Sequence, residues 1–250
     1  MQSLKRFLIL TWLSVGISTH YLCAGQTSVV ADTADDPTPV QVGTMSERER
    51  AQAKLYSESG IRGDDLDSRT RNGEDVRIAE TPPMPFLSPH PTPLDKVISN
   101  LVCSADAVVV GTVKNRHSQL TNGRNWVFSE LSVQADQILK SNPVAPLASG
   151  ERLAVTRSGG TILLNSKIVD AVPAGGHLLK NGQYLFFLKY YADTGSYAVN
   201  GSNSVFRVRG EALLALPDLP NKTLEKTTIT QVSTIANSAA CAGNSTGGTR

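Results

Sequence analysis

Three groups of residues in this 250-residue chain have side chains able to carry a reaction or a covalent link. Asp193-Thr194-Gly195 spells the triplet in which two carboxylates share one proton and activate water. The chain has a single copy, and Asp and Gly are also the residues a tight turn selects, so the triplet reads as the bend of a hairpin. His90, His117 and His177 follow the early His20. None stands at HExxH, HxH or Cys/His spacing, so the sequence marks no metal site and implies no cofactor. A small hydrolase using Asp193, or a site assembled in space from His117 or His177 and a carboxylate, is the enzymatic alternative. No G-x-S-x-G elbow, P-loop or G-x-G-x-x-G occurs.

The third group is the cysteines. Cys23 lies in an N-terminal stretch that reads as a signal peptide: Lys5 and Arg6, the apolar run Phe7 to Ile17, then small residues at Ala24 and Gly25. Eleven helical residues span only about 16 Å at ~1.5 Å each, too short for a bilayer core of ~30 Å. Cleavage after Gly25 is expected, with secretion to the periplasm or beyond the cell. That leaves Cys103 and Cys241 in a compartment that permits disulfides. The expected bridge would close a loop of 241 − 103 = 138 residues, worth about 5 kcal/mol in the chain-entropy model. Two free thiols are the alternative.

Charge divides the chain. From Gln26 to Pro93 there are 7 Lys+Arg against 12 Asp+Glu, and from Leu94 to Arg250 there are 15 against 10. The basic residues of the second part form no cluster or motif, which argues against nucleic acid as a partner. Residues 26–80 are poor in aromatic and β-branched side chains and are expected to be a largely disordered acidic segment. One stretch differs: in Thr44 to Tyr56, Ser46 is placed to cap a helix with Glu49 at the capping-box position, formed transiently or against a partner. Arg62-Gly63-Asp64 in this segment reads as solvated chain. Residues 81–93 hold six prolines and predict an extended linker.

The elements that must position any site lie in 94–241. Leu94, Val97, Ile98, Leu101 and Val102 form a one-sided stripe, a helix leading to a first strand over Ala105 to Lys114. Asn125 to Leu139 alternates apolar and polar residues and predicts a half-buried strand so long that it must bend. Strands follow at Arg152 to Thr156, Thr161 to Leu164 and Lys167 to Val172. Gly182 to Ala192 is apolar on both faces, as a central strand requires, and a hairpin through Asp193 to Ser196 leads to the last strands. Leu224 to Cys241 predicts a closing helix, and 242–250 a disordered tail. Trp126, Phe128, Tyr184, Phe186, Phe187, Tyr190, Tyr191 and Phe206 are expected to be mostly core, and Asn200, Asn221 and Asn244 are sequons.

The succession CSADAVVVGTV, VFSELSVQADQILK, GERLAVTRSGG and GQYLFFL resembles a family of uncharacterised exported bacterial proteins. Its arrangement is similar to the OB-like barrel of netrin/TIMP-type modules, in which a cysteine precedes the first strand. The resemblance covers 94–216 and implies a small OB-like β-barrel flanked by N- and C-terminal helices. Zinc chelation by a mature N-terminal cysteine does not carry over, because Cys103 has a long chain ahead of it. The reading is therefore mainly β, with a signal peptide at 1–25, an arm at 26–80, a linker at 81–93 and one domain at 94–241. Its expected role is a monomeric, non-catalytic binding or interaction module for a protein or surface ligand. A cell-surface structural spacer is the third possibility.

Overall fold

Along the chain the elements are β1 (Val40–Gln41), α1 (Glu47–Ser57), α2 (Leu66–Arg71), β2 (Val76–Ala79), α3 (Leu94–Ser104), β3 (Ala107–Leu120), β4 (Val127–Lys140), β5 (Arg152–Ser158), β6 (Gly160–Leu164), β7 (Lys167–Val172), β8 (Gln183–Tyr191), β9 (Ser196–Val199), β10 (Val205–Arg209), β11 (Ala212–Ala215) and α4 (Ile229–Ser238). The computed structural model describes residues 39–57, 66–80, 93–199, 201–217, 223–239 and 241, all within one unit spanning 34–250. The expected signal peptide at 1–25, residues 81–92 of the expected 81–93 linker, the expected tail at 242–250, His90, Arg62-Gly63-Asp64 and the three sequons lie outside the described residues. The protein is mainly β.

Seven strands form one sheet in the order β11-β10-β8-β3-β4-β5-β9, and β9 also pairs with β8. Strands β8, β3, β4, β5 and β9 therefore close a ring of hydrogen bonds, antiparallel throughout except at β5–β9. Closure requires the long strands to bend, since fourteen straight residues would run ~46 Å. The β3–β4 ladder supplies the bend through register shifts at Val108/Val109, Val110/Gly111 and Val113/Asn115, where inserted residues increase local twist. At Gly111 a Cβ would lie 2.6 Å from Val133 Cγ1 and 2.8 Å from the Gln134 carbonyl, so only glycine admits this approach.

Alternation then sorts the core. From β8, Tyr184, Phe186 and Leu188 point into the ring with Val109, Val113, Leu131, Val133 and Val155, while Leu185 and Phe187 face outward with Val108, Val110 and Phe206. Helices α3 and α4 cover that outer face through Ile98, Val102, Ile229 and Val232. The first strand runs on to Leu120 rather than ending near Lys114, because β4 continues to pair with its polar half. The closing helix begins at Ile229 rather than Leu224: Thr228 caps it, accepting from Gln231 N at 3.2 Å while its own N–H donates to Gln231 Oε1 at 2.9 Å. The Lys140 ammonium donates to the Val102 and Ala105 carbonyls at 2.8 and 2.6 Å, a cation where the exposed carbonyls at the end of α3 favour one. The Cys103 and Cys241 sulfurs are bonded, with the Cα atoms 5.2 Å apart. No helix among the described residues is long and apolar enough to cross a membrane.

Strands β6 and β7 do not join the ring but leave it as a hairpin. The exit is at Gly159 (φ 86°) and Gly160, where a Cβ would strike Pro173 and the Ser118 and Ser129 hydroxyls respectively. A second sheet, β1-β6-β7-β2, forms around that hairpin, with β1 parallel to β6 and β2 parallel to β7.

These pairings correct the expectation of disorder over 26–80 for its described residues, 39–57 and 66–80. The arm is too poor in apolar side chains to fold by itself, but the hairpin offers it two open edges and the ring offers it an apolar surface. Leu66 and Val76 join Trp126, Ile162 and Val169 in one cluster, and Ala53 and Tyr56 join Phe128 in another. The capping box read at Ser46 is present: Glu49 N donates to Ser46 Oγ at 3.2 Å and Ser46 N to Glu49 Oε2 at 2.6 Å.

Candidate binding clefts

Helix α1 lies against the ring with a cleft at each end. The larger, ≈ 580 Å³, is lined by Val42 and Met45 after β1, by Glu49 and Arg50 in the first turns of α1, and by His117 and Gln119 of β3. That volume is in the range of small-molecule sites. Glu49 is its best-defined charge. Burial works to raise its pKa, but hydrogen bonds from Ser46 and Gln119 and the nearby His117 outweigh burial and hold the carboxyl below its usual range. Gln119 Nε2 donates to Glu49 Oε1 at 2.7 Å, and the half-exposed His117 brings Nε2 to 3.8 Å from the same oxygen.

An imidazole beside an ionised carboxylate is the geometry of a general base, yet the hydroxyl next in sequence is turned away. Ser118 is buried and its Oγ lies 2.9 Å from that of Ser129. The cleft presents groups for hydrogen bonding and ion pairing. Among the described residues no three His, Cys, Asp or Glu side chains are grouped to hold a metal ion.

The second cleft, ≈ 230 Å³, lies at the last turn of α1 between Tyr56, Glu80, Arg157, Pro173, Lys189 and Tyr191. Arg157 is its deepest charge. Its guanidinium donates to the Gly176 and Ala174 carbonyls at 2.7 and 2.9 Å, and burial lowers its pKa to about 10. Burial likewise raises the Tyr56 phenol, whose hydroxyl donates to Thr156 Oγ1 at 3.0 Å.

The structure does not bring His117 and His177 together. His117 faces the larger cleft, whereas His177 lies 2.8 Å from Asp170 Oδ1, beside Arg116 and Arg157 around a small void between ring and hairpin. Thr161 Oγ1 also donates to Asp170 at 3.0 Å. Burial pushes the His177 pKa down, against the opposing bond to Asp170. Asp193 sits exposed in the β8–β9 turn. Its neighbour Thr194 is the buried member, bonded to the Tyr191 carbonyl at 3.2 Å and to Ser196 Oγ at 2.6 Å. That is turn chemistry. Cys103 and Cys241 lie in or beside the terminal helices, bonded to each other.

Sequence reasoning missed Glu49 as a cleft residue and Arg157 altogether. Their partners come from elements far away along the chain, and the only local signal was the capping box that fixes Glu49. Of the aromatic residues singled out, Trp126, Phe128, Tyr184, Phe186, Phe187 and Phe206 are buried, and Tyr191 is exposed. Comparison of the sequence and fold with protein-family models, curated proteins and solved structures finds no match.

Proposed function

We propose that the chain is an exported, non-catalytic binding module built on an OB-like barrel, and that it contacts its ligand at the larger cleft. The observation that carries this reading is the cleft itself: ≈ 580 Å³ of space walled by Glu49, Arg50, His117 and Gln119, with an ionised carboxylate fixed in place and, among the described residues, no nucleophile bonded to the imidazole. The ring of five strands supports the OB-like description. Export is supported by the order of charged, apolar and small residues before Gln26 and by the Cys103–Cys241 bond.

The test is a fragment screen by NMR on the chain from Gln26 onward. Binding should move the resonances of His117 and Gln119 and leave those of His177 and Asp193 unmoved. Turnover of ester, peptide or glycoside probes that is lost in His117→Ala would establish the hydrolase instead. Absence of any fragment at His117 would remove the cleft as the ligand site. Mass spectrometry of the exported chain should find Gln26 as its first residue.

A further inference from the structure

Both clefts are walled by α1, and the strands running between them are covered by it. Beneath the helix lie Phe128 and Glu130 of β4, Thr156 of β5 and Ser196 of β9. Each takes a partner from the same stripe of α1, residues 48, 52 and 56, spaced one helical turn apart. Arg48 pairs with Glu130 at 2.9 Å and donates from Nε to the Thr194 carbonyl at 3.1 Å. Gln52 Nε2 donates to Glu130 Oε2 at 2.5 Å and to Ser196 Oγ at 3.3 Å. Tyr56 stacks on Phe128 and donates to Thr156.

We propose that this strand face is a recognition surface for a helix bearing that stripe, and that α1 is its resident but exchangeable occupant, so that undocking of α1 joins the two clefts into one groove. The inference deepens the binding reading by adding a control on the same site.

Three observations argue for exchange rather than permanent packing. First, the contact is only partly apolar: Ala53 and Tyr56 pack with Phe128, but α1 also buries Gln52, a carboxamide where a core helix would carry an aliphatic side chain. Second, the match is incomplete. The Gln52 and Gln119 side-chain carbonyls are both buried without a donor. Turning either amide over would aim its oxygen at a carboxylate, Glu130 or Glu49, so the defect is inherent in the interface. Third, the helix has 11 residues, short enough to melt once it leaves the surface. The ring beneath has its own core, and the helices on its outer face are joined by a disulfide, so it does not share these weaknesses.

Hydrogen exchange on the full chain tests this. Amides of α1 should exchange by local opening at least about ten-fold faster than those of β3 and β4, and Tyr56→Ala should add about another ten-fold without changing ring protection. Arg48→Ala, which touches only the rim, provides the same comparison should Tyr56→Ala fail to fold. A labelled synthetic peptide of residues 44–57 should bind the Tyr56→Ala chain saturably and the wild-type chain far more weakly, because the native helix is tethered. Exchange of α1 only together with β4 in wild type and in Arg48→Ala would overturn the proposal, as would failure of the peptide to bind the Tyr56→Ala chain. Fragments that miss His117 while α1 opens would sink the ligand cleft alone. Fragments that bind with α1 still protected along with the ring would sink the exchange alone.

Discussion

Tyr56 of the arm lies flat on Phe128 of the ring, with centroids 5.4 Å apart and planes inclined by 11°. A stacked pair is worth about 0.5–1.5 kcal/mol beyond its buried area, and the phenol adds a hydrogen bond to Thr156. Tyr56→Phe keeps the stack and loses the bond, so it should weaken arm docking by about 1 kcal/mol, read as a roughly five-fold faster exchange of α1 amides. Phe128→Ala removes a fully buried ring from β4 and should cost about 3–5 kcal/mol in urea unfolding of the whole domain.

The Cys103–Cys241 bond closes a loop of 138 residues. Reduction should lower the urea midpoint by an amount equivalent to about 2–5 kcal/mol, and Cys103→Ala/Cys241→Ala should match the reduced wild type. Equal midpoints with and without reductant would mean that the packing of α3 against α4 alone fixes the two ends.

His177 makes stability depend on pH near neutrality. Its folded pKa is pushed below the ordinary 6.5, chiefly by burial, so between the folded and unfolded values the unfolded chain binds more protons. Stability therefore rises with pH in that window: the contribution is complete above about 6.5 and declines as the pH falls toward the folded value. Melting temperatures between pH 7.5 and 5 should fall in the wild type and fall less in His177→Gln, the difference not exceeding about 1.4 kcal/mol per pH unit for one proton. Glu49 and Asp67 are shifted down from 4.5 and 3.8, so their loss of stability comes only below those values and is separable.

Gly160 is where the chain leaves the ring. Alanine there would meet Ser118 and Ser129, whose hydroxyls are bonded to each other. Gly160→Ala should destabilise by about 1–3 kcal/mol, or more if the hairpin shifts and loosens β1 and β2. Gly150→Ala has open space around its Cβ and carries only the cost of a positive φ, which makes it the control in thermal unfolding.

The ring was legible because its residues repeat with period two: Leu131, Val133 and Ala135 point inward just as their alternation in the sequence requires. The two-sided apolar character of β8 was legible for the same reason, since Phe186 and Phe187 enter different clusters. The arm was not. Its strands are short and take their partners from β6 and β7, and its helix is held by Gln52 and Arg48, residues that in isolation signify solvation. The larger cleft was hidden too, because Glu49 and His117 have no spacing that relates them; only the fold of the arm over β3 does so. The exit of β6 and β7 from the ring was written in Gly159-Gly160, which reads equally well as an ordinary turn.

The sulfur link has a consequence for the order of events during synthesis. Cys241 follows every strand from β3 to β11 in the sequence, so oxidation cannot steer the nascent ring: all of those strands have already been translated when the second thiol becomes available. The bond ratifies a finished arrangement of strands.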